Sequence, residues 1–235
     1  MYLFFDFLAR YDNQVTSIEA VIRDICNVPV ESDGLAFDSK TVKGLKIKED
    51  ADYEGVRVKF MGYLEHSHIP MQIDAGFGDI VYPKTKLIDY PVILDFPKPH
   101  LNGYPPESMI SEKFEAMIRL GSLNSRMKDF YDIWLMMRQF DFDGSTLAEA
   151  LKRTFKHRKT SQPQDKPLFA EEIYDDQSDR QTLWKAFLMK GDIQHAPEKL
   201  VITARAIEKF LIRPLEAINS GREFNAHWKA PGSWR

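Results

Sequence analysis

The reading of the fold turns on residues 104–138, YPPESMISEKFEAMIRLGSLNSRMKDFYDIWLMMR. The stretch reads as two amphipathic helices joined by a Gly121-Ser122-Leu123-Asn124 break. On a helical wheel Met109, Ile110, Phe114, Met117, Ile118 and Leu120 form the apolar arc of the first helix, and Lys113 falls inside that arc. Glu112, Glu115 and Arg119 are expected to point the other way. In the second helix Phe130, Ile133, Trp134 and Met137 make the apolar arc, with Arg126 inside it and Asp129 on its flank. Lys128 and Asp132 fall opposite, spaced i,i+4 as a solvent-facing ion pair would be. Three charges, Lys113, Arg126 and Asp129, are therefore expected to face the body of the protein. A lysine inside an apolar arc must snorkel to water or meet an anion, because burying an unpaired ammonium is costly. That anion is either Asp129 or a phosphate of a ligand. Arg126 also has a purely structural reading, an i,i+3 ion pair with Asp129 along the helix.

Upstream of this pair the periodicity changes. Residues 1–9, MYLFFDFLA, are aromatic and apolar and read as a strand, and 13–28 has helical spacing at Val15, Ile18, Val21, Ile22 and Ile25. Strands are expected over 35–37, 45–47 and 56–64, the last alternating Val56, Val58 and Phe60 against Arg57 and Lys59. A further strand, IPMQIDA over 69–75, sets Met71, Ile73 and Ala75 on one face and Gln72 and Asp74 on the other before a Gly76-Phe77-Gly78-Asp79 turn. Prolines at 83, 91, 97 and 99 break the segment that follows into a connector. Downstream, DFDGSTLAEALKRTFKHR is a helix with Ser145 or Thr146 as its expected N-cap, and 179–190 and 197–219 are helical, with Pro214 kinking or ending the last. The tail from Ser220 is polar, carries two tryptophans and reads as a loosely packed end. Strands first and helices after define an α+β protein. The expected organisation is a sheet domain over 1–103, a helical domain over 104–219 and a polar tail over 220–235.

With 235 residues, 43% hydrophobic and 29% charged, the chain can bury a sizeable core. A net charge of −3 argues against a general polyanion binder. The single cysteine, Cys26, excludes an intrachain disulfide framework and a cysteine-based zinc site. No apolar run approaches the ~18 residues of a membrane span, and the first nine residues lack the basic start of a signal peptide. The expectation is a cytoplasmic protein with no membrane partner.

Two carboxylates on the strands could carry chemistry. Magnesium requires hard oxygen ligands and usually takes one or two carboxylates plus substrate phosphates. Asp74 at a strand end, with Asp6 as a second carboxylate on a neighbouring strand, would suit it. The alternative is that Asp74 starts a turn and Asp6 only ends a strand. The histidines are scattered, and the chain has no GxSxG, Walker loop or HExxH.

The segments IDAGFGD, LDFPKPHLNGYPPESMISEKFEAMIRLGSLNSRMKDFYDIW and FDFDGSTLAEAL resemble the nucleotidyltransferase family of AbiEii/AbiGii-type toxins, and the resemblance runs from Asp6 to about Leu215. Its most specific part is EKFEAM followed by RMKDFYDIW. The resemblance implies a polymerase-beta-like nucleotidyltransferase, with a small mixed sheet bearing an acidic site followed by an all-α C-terminal region. It further implies the toxin half of a type IV toxin–antitoxin or phage-abortive system, with a cognate antitoxin. The implied reaction transfers a nucleotide from an NTP to an acceptor, RNA such as tRNA in some members, with Mg2+ as cofactor. By motif, Asp6 and Asp74 would be metal ligands and catalytic. Lys113 and Asp129 would be catalytic and, with Arg126, nucleotide-binding, so that the helix pair forms one wall of the site and the sheet the other. Asp6 matches the second aspartate of the family's strand D-x-D. The first would align with Phe4, and the Gly-Ser helix start that cradles the triphosphate has no counterpart in the chain. The expectation is therefore an N-terminally truncated member with impaired transfer. Two rivals stand beside this enzyme: a non-catalytic remnant that binds nucleotide, RNA or an antitoxin, and a scaffold in which Lys113–Asp129 is only a buried ion pair.

Overall fold

A computed structural model of the chain describes residues 3–10, 12–50, 53–92 and 95–235; Met1 and Tyr2, at the start of the expected first strand, lie outside them. The chain divides into two compact units, Met1–Asp79 and Ile80–Arg235.

The first unit is built on a four-stranded sheet with strands β1 (Leu3–Ala9), β2 (Leu35–Asp50), β3 (Tyr53–Leu64) and β4 (Ser67–Phe77) in the order β1-β4-β3-β2. The β1–β4 pair is parallel; β4–β3 and β3–β2 are antiparallel. The alternation in 56–64 and 69–75 sets the register, since Val58 lies beside Ile73 and Phe60 beside Met71, which gathers the apolar side chains on one face. Helix α1 (Val15–Cys26) covers that face, burying Ile18 and Ile22 in a core with Val42, Val56, Val58, Phe60, Met71 and Ala75. Its approach over β2 requires Gly44, because a Cβ there would lie 2.6 Å from Val15 Cγ1, and the Gly44 N–H donates to Glu19 Oε1 at 2.6 Å. The two short strands expected at 35–37 and 45–47 form one long β2. The polar residues between them stay extended through a register shift between Asp38 and Lys43.

The second unit opens with a hairpin, β5 (Lys86–Asp89) and β6 (His100–Gly103), within the proline-rich connector. Helices α2 (Pro106–Leu120) and α3 (Met127–Gln139) follow, joined by a single 3-10 turn at Gly121–Leu123. After the two-residue β7 (Phe142–Asp143) come α4 (Gly144–His157), the short α5 (Glu171–Tyr174), α6 (Asp179–Lys190) and α7 (Leu200–Asn219). The core gathers Ile110 and Phe114 of α2, Phe130 and Ile133 of α3, Leu147 and Leu151 of α4, Trp184 of α6 and Ile207, Phe210 and Leu211 of α7. No helix among the described residues is long and apolar enough to cross a membrane.

Two local expectations are corrected and a third is narrowed. The N-cap of α4 is Asp143 rather than Ser145 or Thr146; its carboxylate accepts from the Thr146 N–H at 2.8 Å and also from the Ser145 and Thr146 hydroxyls. Pro214 lies inside α7 without ending it. Proline removes the N–H that would serve the carbonyl four residues back, and here that carbonyl, of Phe210, accepts from Trp234 Nε1 at 2.8 Å. The tail is fastened rather than loose. Its strands β8 (His227–Lys229) and β9 (Ser233–Trp234) form a small sheet with β7, and fully buried Trp228 donates Nε1–H to the Met137 carbonyl at 2.6 Å.

Candidate functional site

In the helical unit Lys113 projects from α2 toward α3, where its ammonium lies 2.8 Å from Asp129 Oδ1 and 2.8 Å from Asp132 Oδ2. Asp129 and Asp132 are one turn apart on α3, so both carboxylates reach one cation. The Lys113 side chain keeps only 20% of its surface exposed. Burial pulls its pKa down, but attraction and hydrogen bonds from Asp129 and Asp132 outweigh this and hold it above the usual lysine range. The group is a fixed positive charge. Asp132 also pairs with Lys128 at 2.5 Å, and Lys128 is largely exposed.

Asp132 therefore does not point to solvent with Lys128, as the wheel predicts; its side chain is only 17% exposed. The wheel allows one buried arc, whereas α3 packs against α2, α6 and α7 and has more than one inward side. Glu115 is corrected for the same reason. It is fully buried, with Oε2 accepting from Arg158 Nη1 at 2.8 Å and Oε1 from Arg119 and Thr160. Arg126 occupies the N-cap position of α3, half-buried, and its own N–H donates to Asn124 Oδ1. An open depression of about 490 Å³ lies at this end of α3. Asp129, Arg126, Lys128 and Lys190 give it polar walls, and Leu183 and Phe187 of α6 an apolar one.

In the sheet unit the register sets Asp6 of β1 beside Asp74 of β4, and Phe4 beside Gln72. Asp6 is placed by its backbone alone. On the other side of β4, Arg57 of β3 lies directly across from Asp74. Its guanidinium forms a two-point contact, Nε to Oδ1 at 2.8 Å and Nη2 to Oδ2 at 2.6 Å. Asp74 is buried, and Gln72 Nε2 reaches Oδ1 at 3.4 Å. The alternation of β3 and β4 already carried this signal, since Arg57 and Asp74 both oppose the apolar face; read one strand at a time, Arg57 was only an outward charge.

The sheet residues can be tested against the divalent metal that the family resemblance implies. Both oxygens of Asp74 are taken by a cation of the chain itself, its same-face neighbour on β4 is a carboxamide, and Phe4 offers no ligand oxygen. Among the described residues no group of three or more Asp, Glu, His or Cys side chains comes together as a metal set. As arranged, the described donors do not fit a two-metal centre.

A mixed sheet followed by a helical region is consistent with a nucleotidyltransferase fold carrying C-terminal helices. A family model described as the nucleotidyl transferase AbiEii toxin of type IV toxin–antitoxin systems matches residues 5–211. The chain belongs to that family, which carries nucleotidyl transfer as its general activity and a toxin–antitoxin setting. No curated protein matches the chain.

Proposed function

We propose that this chain is a nucleotidyltransferase-type toxin whose helical unit binds an NTP, and whose transfer step is slow because its sheet is poorly equipped for catalysis. The observation that carries the reading is Lys113, a largely buried ammonium held between two carboxylates. Asp129 and Asp132 keep the ammonium protonated and fix its position, and the 20% of the side chain that stays exposed is what a phosphate oxygen would meet. Asp129 joins that charge to the depression at the start of α3, and Arg126, Lys128 and Lys190 line the depression with positive charge suited to further phosphates. Phe187 and Leu183 offer an apolar wall to a base. In this reading Lys113 and Asp129 are the catalytic residues of the helical unit, with Arg126 binding nucleotide. Asp6 and Asp74 are the sheet carboxylates that catalysis would call on. The acceptor is an RNA such as tRNA, and a cognate antitoxin is the protein partner.

A second reading, a non-catalytic remnant that retains binding, is favoured by Phe4 and by the Arg57–Asp74 contact. Calorimetric titration of the full chain with ATP and GTP tests the shared part. Lys113→Met is expected to weaken binding about tenfold or more, the scale of one lost charge-assisted contact, and equal binding by the variant would overturn the assignment. Incorporation of labelled NTP into bulk tRNA separates the two readings: slow labelling lost in Lys113→Met supports the enzyme, and labelling at background supports the remnant.

A further inference from the structure

We propose that Arg57 is the resident cation of the sheet carboxylate, and that a divalent ion reaches Asp74 only by displacing the Arg57 guanidinium. A carboxylate as buried as Asp74, 5% exposed, needs a cation or several donors to remain charged. The chain supplies that cation from the adjacent strand. Arg57 and Asp74 are register partners on β3 and β4, so the pair is set by the sheet rather than by a flexible reach. The planar guanidinium spends two N–H groups on the two carboxylate oxygens, at 2.8 and 2.6 Å.

The contact saturates Asp74 in the two respects that matter to a metal. Its charge is neutralised, and the oxygen faces turned toward Arg57 are filled. An arriving dication meets a positive charge that no accessible pH removes, because a guanidinium stays protonated. The rest of the β4 face offers no alternative, since Gln72, two residues along, supplies an uncharged amide that donates to Asp74. Yet the lock can open. The Arg57 side chain is 32% exposed and can swing toward water, whereas Asp74 cannot. The inference concerns the sheet unit alone and stands whether or not the helical unit binds nucleotide.

Mn2+ titration of the full-length chain, read from the electron paramagnetic resonance of the free ion, tests it. In the wild-type chain Asp74 is held by Arg57, so Asp74→Asn should leave Mn2+ affinity unchanged within about twofold. Arg57→Gln should bind Mn2+ at least about tenfold more tightly, and the gain should vanish in Arg57→Gln/Asp74→Asn. Far-UV circular dichroism checks that each variant is folded. If Arg57→Gln does not fold, the wild-type and Asp74→Asn comparison decides alone. Mn2+ binding by the wild type that depends about tenfold on Asp74 overturns the proposal, as does an Arg57→Gln variant that binds no more tightly than wild type.

Discussion

The carbonyl of Phe210 offers a sharp test of how the helical unit is held together. Pro214 leaves that carbonyl without its helical donor, and Trp234 Nε1 supplies one at 2.8 Å. Phe210 is fully buried, so removing the indole N–H strands an acceptor away from water. Trp234→Phe should cost about 1–3 kcal/mol for the stranded carbonyl. It also loses part of a ring that stacks on Phe210, with centroids 5.6 Å apart, and meets Trp228 edge-on. The two contributions separate in a Pro214→Ala background. There the amide of residue 214 can serve Phe210 along the helix, so Trp234→Phe should cost only its packing share. The coupling between the two positions should be about 1–2 kcal/mol. Urea unfolding followed by far-UV circular dichroism measures it, with unchanged slopes confirming that the transitions are comparable. Additivity within about 0.5 kcal/mol would refute the idea that the tryptophan replaces the missing amide.

Two further outcomes follow from the charges. The Lys113 pKa is held above its usual value, so its contribution to stability is complete below about pH 10.4, the unfolded value, and is lost as pH rises through the folded one. Wild type should therefore lose more stability than Lys113→Met in alkaline unfolding curves. Tyr174, pushed up by burial and by Glu208, loses stability in the same window, and it cancels in that comparison. Asp143→Ala should cost about 1 kcal/mol at neutral pH by uncapping α4. The Asp143 carboxyl is held below its usual range first by the Ser145 hydroxyl, so thermal melts should show this difference shrinking as pH falls below about 3.9.

The fold was legible where one periodicity governed. Strands β3 and β4 alternate cleanly, and their faces follow from counting by twos. Lys113 stood out because a cation in an apolar arc needs an anion, and Asp129 is that anion. Recognition of the family also came from this stretch. What escaped depended on a second element. Asp132 and Glu115 look solvent-facing on a single helix, and only the packing of α2 and α3 against several neighbours turns them inward. The Arg57–Asp74 contact needs the β3–β4 register, which neither strand states alone. The tail tryptophans were read from the polar residues around them. Their acceptors, at Met137 and Phe210, lie far away in sequence, and no local pattern points to them.

The fastened tail also bears on how the protein can be watched. All four tryptophans, at 134, 184, 228 and 234, lie in the unit 80–235, while the single thiol, Cys26, lies in the unit 1–79. Cys26 ends α1 partly buried against the sheet core, and burial raises its pKa, so its reaction with a thiol reagent should quicken when α1 lifts from the sheet. Intrinsic fluorescence thus follows one unit and thiol trapping the other. A single unmutated sample carries two independent clocks, and comparing them tells whether the halves open together or one before the other.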